Sequence, residues 1–287
     1  MTEDAISCVR EYERLWRRDV ADAAVDRLLA PAFVAHTPAE KDSGREEFRQ
    51  HLRMALGALS DLEARFEPVL ANGSRVAAHA TIGGVHSGEF FGVAPTGKRL
   101  SWREVHVFDA REGQIVEHWM DAALLAAYMQ MIGQSEPDSE PSRAVPSGIG
   151  REYTADDELV PLTGYMNMVA SHDASTVREW ATDDYLQHGP FGANLTREEF
   201  EAGNRDVVWK ALPDISIQLT LLLADGELVA ATGLGKGTHT GAELFGVAPA
   251  GKHVTFTETH IYRIRGTKVC EHWLQVDLLG LRTQLQS

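Results

Sequence analysis

The chain has 287 residues, of which 44% are hydrophobic, 8% aromatic and 24% charged. That is a globular balance, and the length suits about two domains. With 42 acidic residues against 27 basic ones the formal charge is −15, which repels phosphate backbones and anionic bilayers, so no nucleic-acid and no membrane partner is expected.

The N-terminal residues predict a helix from about Asp4 to Leu29, with Ile6, Val9, Leu15, Trp16 and Val20 as its apolar positions. A short segment follows and ends at His36, before Pro38. The acids of REEF, from Arg45, then open a second helix, where they favour the positive end of the helix dipole. Period-2 alternation predicts strands around Glu63–Leu70, Arg75–Ile82, Leu100–Asp109 and Gln114–Trp119, and a short helix closes the unit.

The whole order then recurs. FFGVAPTGKRLSWREVHVF from Phe90 is answered by LFGVAPAGKHVTFTETHIY from Leu244, and IVEHW from Ile115 by VCEHW from Val269, both 154 positions on; FVAHTP and REEF recur at 152. A repeat this long is a duplicated domain and not a solenoid unit. The expected division is a first domain over 1–133, a flexible acidic Pro/Ser-rich linker over 134–160 and a second domain over 161–287. Cys8 and Cys270 give neither a disulfide framework nor a thiolate metal site. The first residues are too charged for a secretory leader and no apolar run is long enough for a bilayer, so a cytoplasmic location is expected.

The run G-x-F-F-G-V-A-P-T-G-K, a strand, and I-V-E-H-W before a Leu-rich helix with Gln130 and Gly133, present twice in register, resembles the SnoaL-like polyketide cyclases of the NTF2-like superfamily. The resemblance implies an α+β fold: two cone-shaped barrels, each a curved antiparallel sheet plus helices around a deep cavity. It also implies an intramolecular pseudo-dimer in which the two halves pair sheet to sheet within a monomer. The implied activity is a cofactor-free ring closure on a hydrophobic small molecule, with no metal.

The same cone hosts other chemistries, so the residues must carry the argument. Alternation places Trp102, Glu104, His106 and Phe108 on one face of their strand, and Phe256, Glu258, His260 and Tyr262 on its counterpart. An acid two residues from a histidine on a half-apolar face calls for a partner or a ligand, and a carboxylate beside an imidazole suits proton transfer near neutral pH. The Glu104–His106 and Glu258–His260 pairs are therefore the first catalytic candidates. The alternative is a satisfied pair inside a core.

The family commonly has Asp directly after the Trp of EHW; here Met120 and Leu274 stand in that position and cannot carry a proton. Asp121 is the shifted candidate, although strict alternation turns it away from the His118 and Met120 face unless a bulge re-aims it. Asp277 reads as a helix N-cap. His36 and His188 are candidates for the cavity mouth, and His86 and His239 for the cavity wall or a strand cap. With Trp102, Phe108, Met120, Phe256 and Tyr262 they make up the expected substrate contacts. His118 and His272 read as structural, bridging strand and helix. Lys98 and Lys252 read as solvated, since the glycine pattern lacks a phosphate-loop spacing.

The leading reading is a cyclase or isomerase acting by general acid–base chemistry through aldol, Michael or hydroxyl addition. An epoxide-opening hydrolase, a non-catalytic binding protein and a division of labour between the halves are the alternatives.

Overall fold

The computed structural model describes residues 2–16, 21–37, 40–137, 155–191 and 194–287. The chain divides into two compact units, Met1–Ser139 and Glu140–Ser287. Most of the expected linker lies outside the described residues, but its end does not: residues 155–160 already belong to a helix.

In the first unit the elements run α1 (Thr2–Arg14), α2 (Ala21–Leu28), β1 (Leu29–Thr37), β2 (Glu40–Gly44), α3 (Arg45–Ala58), β3 (Leu59–Asn72), β4 (Arg75–His86), β5 (Arg99–Arg111), β6 (Gln114–Ala122) and α4 (Leu124–Met131). The single long N-terminal helix expected from the sequence is thus two helices. α1 ends at Arg14, and Leu15 and Trp16 lie in a turn, Leu15 N–H donating to Tyr12 C=O. The four expected strands are present and longer, while β1 and β2 fall where only a short connecting segment was expected.

The second unit repeats this order with α5 (Ala155–Ser171), a 3₁₀ turn at Ala174–Thr176, α6 (Val177–Trp180), β7 (Ala181–His188), β8 (Asn194–Thr196), α7 (Arg197–Gly203), a π turn at Asn204–Val208, α8 (Trp209–Ala211), β9 (Ser216–Asp225), β10 (Leu228–His239), β11 (Lys252–Arg265), β12 (Lys268–Val276) and α9 (Leu278–Gln286).

Each unit has one six-stranded sheet, in the orders β2-β1-β6-β5-β4-β3 and β8-β7-β12-β11-β10-β9. β1 pairs parallel with β6, and β7 with β12, so the sheets are mixed and not antiparallel throughout. A parallel neighbour needs a long crossover, and here everything from β2 to β5 lies between β1 and β6. The other pairs are antiparallel.

Alternation then fixes the faces. α1 packs across β3, β4, β5 and β6, and its buried Tyr12 meets the rings of His106, Phe108 and His118. The face of β5 carrying Trp102, Glu104, His106 and Phe108 is therefore the one under the helix. REEF opens a helix in both units as expected. In the second, Thr196 Oγ1 accepts from Glu199 N–H while Glu199 Oε2 accepts from Thr196 N–H, two otherwise orphaned donors met reciprocally.

The repeated glycine motif is a turn. Gly97 and Gly251 both sit at φ +69°, a backbone region open to Gly at no steric cost. From there Gly97 N–H reaches back to His86 C=O, and Gly251 N–H to His239 C=O. Lys98 is not a freely solvated charge, because its Nζ lies 3.4 Å from the carbonyls of Gln130 and Met131 at the end of α4, where a cation suits the helix dipole.

Candidate functional site

Within the second unit a cavity of about 350 Å³ opens between α5, the α7–α8 segment and the inner face of the sheet. Its walls are apolar and aromatic, among them Phe200, Trp209, Phe245, Phe256 and Leu274; its polar groups include Glu258, Tyr165, Gln187 and Asn204. A few convergent polar groups in an apolar pocket is the usual composition of a small-molecule site.

Glu258 is 1% exposed, and it lines the cavity from β11. Its Oε1 lies 3.1 Å from His260 Nε2, off the direction of that ring's N–H, so the contact is coulombic. Its Oε2 lies 3.5 Å from the Tyr165 hydroxyl. Burial first, and the nearby Glu258 second, push that hydroxyl well above the ordinary tyrosine range, so Tyr165 keeps its proton and offers it as a hydrogen-bond donor.

Behind Glu258 runs a buried polar chain. Tyr185 O–H is 2.8 Å from His272 Nδ1, and His272 Nε2 is 2.9 Å from His260 Nδ1. Burial raises the Tyr185 hydroxyl well above its usual range. Burial, with His260 and His188 adding like-charge repulsion, pushes the His272 imidazole well below its own. Gln187 Nε2, 3.4 Å from Nδ1, can only donate, and with Tyr185 donating to the same nitrogen the neutral His272 carries its hydrogen on Nε2 and donates it to His260 Nδ1. His260 then carries its own hydrogen on Nε2, the nitrogen beside Glu258 but not aimed at it. Tyr262 O–H, 2.9 Å from His260 Nδ1, adds a second donor at the same lone pair.

The first unit holds the same motif in different surroundings. Glu104 Oε2 is 2.9 Å from His106 Nε2, and His106 Nδ1 is 3.0 Å from His118 Nε2. Here, however, Phe33 and Phe108 stand where the second unit has Tyr185 and Tyr262. His118 Nδ1 consequently has no partner among the described residues. Trp102 Nε1 donates to Glu104 Oε1 at 2.8 Å, a contact that Phe256 cannot make.

The remaining candidates fall elsewhere. The β5–β6 register runs unbroken from Glu104↔Ala122 to Asp109↔Glu117 and pairs Val105 with Asp121. No bulge re-aims Asp121, so the sheet separates it from Glu104 and His106. Asp277 accepts from Gly280 N–H at 2.8 Å and caps α9.

His36 and His188, expected at the cavity mouth, are bound to the sheet instead. His36 bridges Asp42 at 2.6 Å and Glu117 at 3.0 Å, and His188 bridges Asn194 and Glu271, both at 2.9 Å. Each stacks on the Trp of EHW, Trp119 or Trp273. His86 and His239, expected on the cavity wall or as strand caps, hold the loop that follows their strands: His86 Nδ1 meets Thr96 Oγ1 at 3.0 Å, and His239 Nε2 meets Ala242 C=O at 2.8 Å.

Phe108 and Tyr262 are fully buried and stack on the histidines, so they back the pair instead of facing a ligand. Met120 pairs with His106 across the strands. His118 and His272, read as bridging strand and helix, bond across the sheet to His106 and His260.

Sequence reasoning missed Tyr165, Tyr185, Asn204 and the glycines Gly233 and Gly235. Tyr165 has Tyr12 as its counterpart over His106; for the others the signal was that the two copies differ there, whereas the reading weighed positions at which they agree.

The duplicated α+β unit is the arrangement that the family comparison bears out. The model of the SnoaL-like polyketide cyclase family matches residues 6–131 and again 161–285, and the chain belongs to that family, carrying its domain twice. Among characterised relatives, aklanonic acid methyl ester cyclase DauD of Streptomyces sp. (strain C5) is 31% identical over 132 residues, 45% of this chain and 78% of that protein. Solved structures similar to it include AclR from Streptomyces galilaeus, at 24% identity and a TM-score of 0.43 over 47% of this chain and 99% of that one. IdmH from Streptomyces antibioticus gives 26% and 0.41 over 45% and 99%.

Proposed function

We propose that the chain is a ring-closing cyclase or isomerase for a hydrophobic, polyketide-like small molecule, and that the chemistry is general acid–base transfer in the cavity of the second domain. One observation carries the reading: Glu258 is a carboxylate on a largely apolar wall, with Tyr165 as donor beside it and His260 behind it. Glu258 removes a proton from an activated carbon or hydroxyl, the atom so freed attacks a carbonyl of the same molecule, and the Tyr165 hydroxyl hydrogen-bonds the oxygen on which negative charge develops. The proton held by Glu258 returns to that oxygen, so the product is an isomer of the substrate. His260 is a positioning residue in this scheme, since it does not line the cavity.

Placing a donor where charge develops and a base beside the acidic atom uses the two contributions that a largely apolar site exploits best. Epoxide opening has less support, because it needs a second carboxylate to activate water. The other acid on the wall, Glu199, is engaged by Thr196 in the capping box.

Aklanonic acid methyl ester, named for the relative's reaction, is the first compound to test, followed by other linear and partly cyclised aromatic polyketides. Binding is read from the fluorescence of Trp209, which lines the cavity, and turnover by chromatography. Glu258→Gln is expected to keep binding within a few-fold and to lose about 10²–10⁴ in turnover. Full turnover by Glu258→Gln refutes the assignment of the base, and binding without turnover by the unaltered chain makes it a carrier.

A further inference from the structure

The two copies share the Glu–His pair but not the space around it. β4 and β10 align residue for residue from Arg75 and Leu228 to His86 and His239, which sets Ala80 against Gly233 and Ile82 against Gly235. These positions pair with the site strand: Gly233 with Glu258 and Gly235 with Phe256, Ala80 with Glu104 and Ile82 with Trp102.

A Cβ on Gly235 would lie 2.3 Å from the Phe256 ring, and one on Gly233 would lie 2.7 Å from Glu258 Cγ and 2.6 Å from Leu219 Cδ2. Phe256 and Glu258 therefore lie flat on bare backbone, which leaves the middle of the domain open. In the first domain the side chains of Ala80 and Ile82 occupy that bed. The larger Trp102 stands over them, 2% exposed, with its indole turned onto Glu104. Phe66 replaces Leu219, and Leu52 and Leu56 of α3 close the packing; all join one buried core.

In the second domain the corresponding helix is opened by the π turn, and Asn204, Val207 and Val208 line the cavity. Each Glu has one oxygen beside its histidine, but the other oxygen of Glu104 accepts from the Trp102 indole at 2.8 Å. The matching oxygen of Glu258 has the Tyr165 hydroxyl at 3.5 Å in that place and no indole.

We propose that the chain takes one small molecule, in the second domain, and that the first domain, among its described residues, is a filled copy with no ligand site at the matching position. The ligand is neutral or weakly acidic, flat and largely apolar, since the site offers aromatic walls and, with Glu199 held in its helix cap, one available carboxylate. The proposal rests on the functional reading above and adds the stoichiometry and the residues that set it.

The test is a titration of the full chain with Nile red, a neutral planar fluorophore, at protein concentrations above its dissociation constant. One equivalent per chain is expected. Two variants fill the second cavity from different strands, Gly235→Ile, which puts the first domain's residue into the second, and Leu274→Trp. Each should weaken binding at least about tenfold, the fold-change that corresponds to overpacking a formed site. Ile82→Val and Phe66→Leu should leave it unchanged.

Two equivalents per chain would overturn the asymmetry and leave the functional reading standing, whereas no binding by the unaltered chain would overturn both. If either filled variant folds, by circular dichroism, and still binds with unaltered affinity, the site is elsewhere. A gain is the converse check: Ile82→Gly with Trp102→Phe should raise the stoichiometry toward two.

Discussion

Replacing Tyr185 by Phe tests the polar chain behind Glu258, because it removes one oxygen and reproduces the residue that the first domain carries at the same place. The hydroxyl donates to His272 Nδ1 at 2.8 Å, and the other donor there among the described residues is Gln187 Nε2 at 3.4 Å. His272 is fully buried, so its acceptor cannot turn to water. Leaving a buried acceptor unmet costs about 1–3 kcal/mol, and Gln187, too distant for a strong bond, recovers only part of that.

Urea unfolding should therefore show the variant less stable by about 1–2 kcal/mol. The reciprocal change, Phe33→Tyr, supplies His118 Nδ1 with the donor it lacks among the described residues and should be neutral or stabilising by up to about 1 kcal/mol. The proton distribution gives a sharper readout. With Tyr185 present, His272 holds its hydrogen on Nε2; without it the Nδ1–H form becomes accessible and His260 loses its fixed orientation. Long-range ¹H–¹⁵N correlation of the imidazoles reports the tautomer directly. If Tyr185→Phe leaves both stability and tautomer unchanged, no hydrogen bond connects the two residues and the chain of donors is wrong.

Acid should unfold the protein earlier than its carboxylates alone require. His118 and His272 are held well below the usual imidazole range by burial and by neighbouring histidines, so the unfolded chain takes up these protons near pH 6.5 while the folded one does not. Their stability is fully present above that pH and lost below it, at about 1.4 kcal/mol per pH unit for each histidine, which the pH dependence of urea midpoints will show or refute. Asp277→Ala should cost about 0.5–2 kcal/mol through loss of the α9 cap, measured by thermal melting; no change would mean that the Gly280 bond contributes nothing. Asp121→Asn should leave turnover unaltered, because the residue lies across the sheet from Glu104 and His106; a lost rate would show that the family's shifted Asp acts after all.

The face carrying each Glu–His pair was legible because alternation is a local property of five residues, and the duplication because it is repeated in register. β1 was not legible. Along Leu29–Thr37 buried and exposed residues do not alternate with a clean period of two, and its partner β6 is some eighty residues away. The break after Arg14 was hidden because Leu15 and Trp16 continue the apolar spacing of the helix while already lying in a turn.

The site was half legible. Glu258 and His260 could be paired on paper, but the meaning of Gly233 and Gly235 depends on which side chains lie across from them in the sheet. Nothing in a stretch such as GLGKG states that. His36 and His188 were misplaced for the same reason: their partners Glu117 and Glu271 come from a strand that only the parallel pairing brings alongside.

The π turn gives the second domain a means of adjusting one wall without disturbing its neighbours. The helix has 14 residues from Arg45 to Ala58, but the path from Arg197 to Ala211 has one more. A residue inserted into a regular helix would rotate everything after it by about 100° and turn the downstream apolar face away from the core. Confined to Asn204–Val208, the extra residue acts as an expansion joint. Phe200 before it stays buried, and Ala211 after it accepts from Gly241 N–H, as Ala58 accepts from Gly88 N–H in the first domain. Ligand shape can therefore drift at this wall, through the residues of the joint, while the helix ends remain fixed to the sheet that carries Glu258.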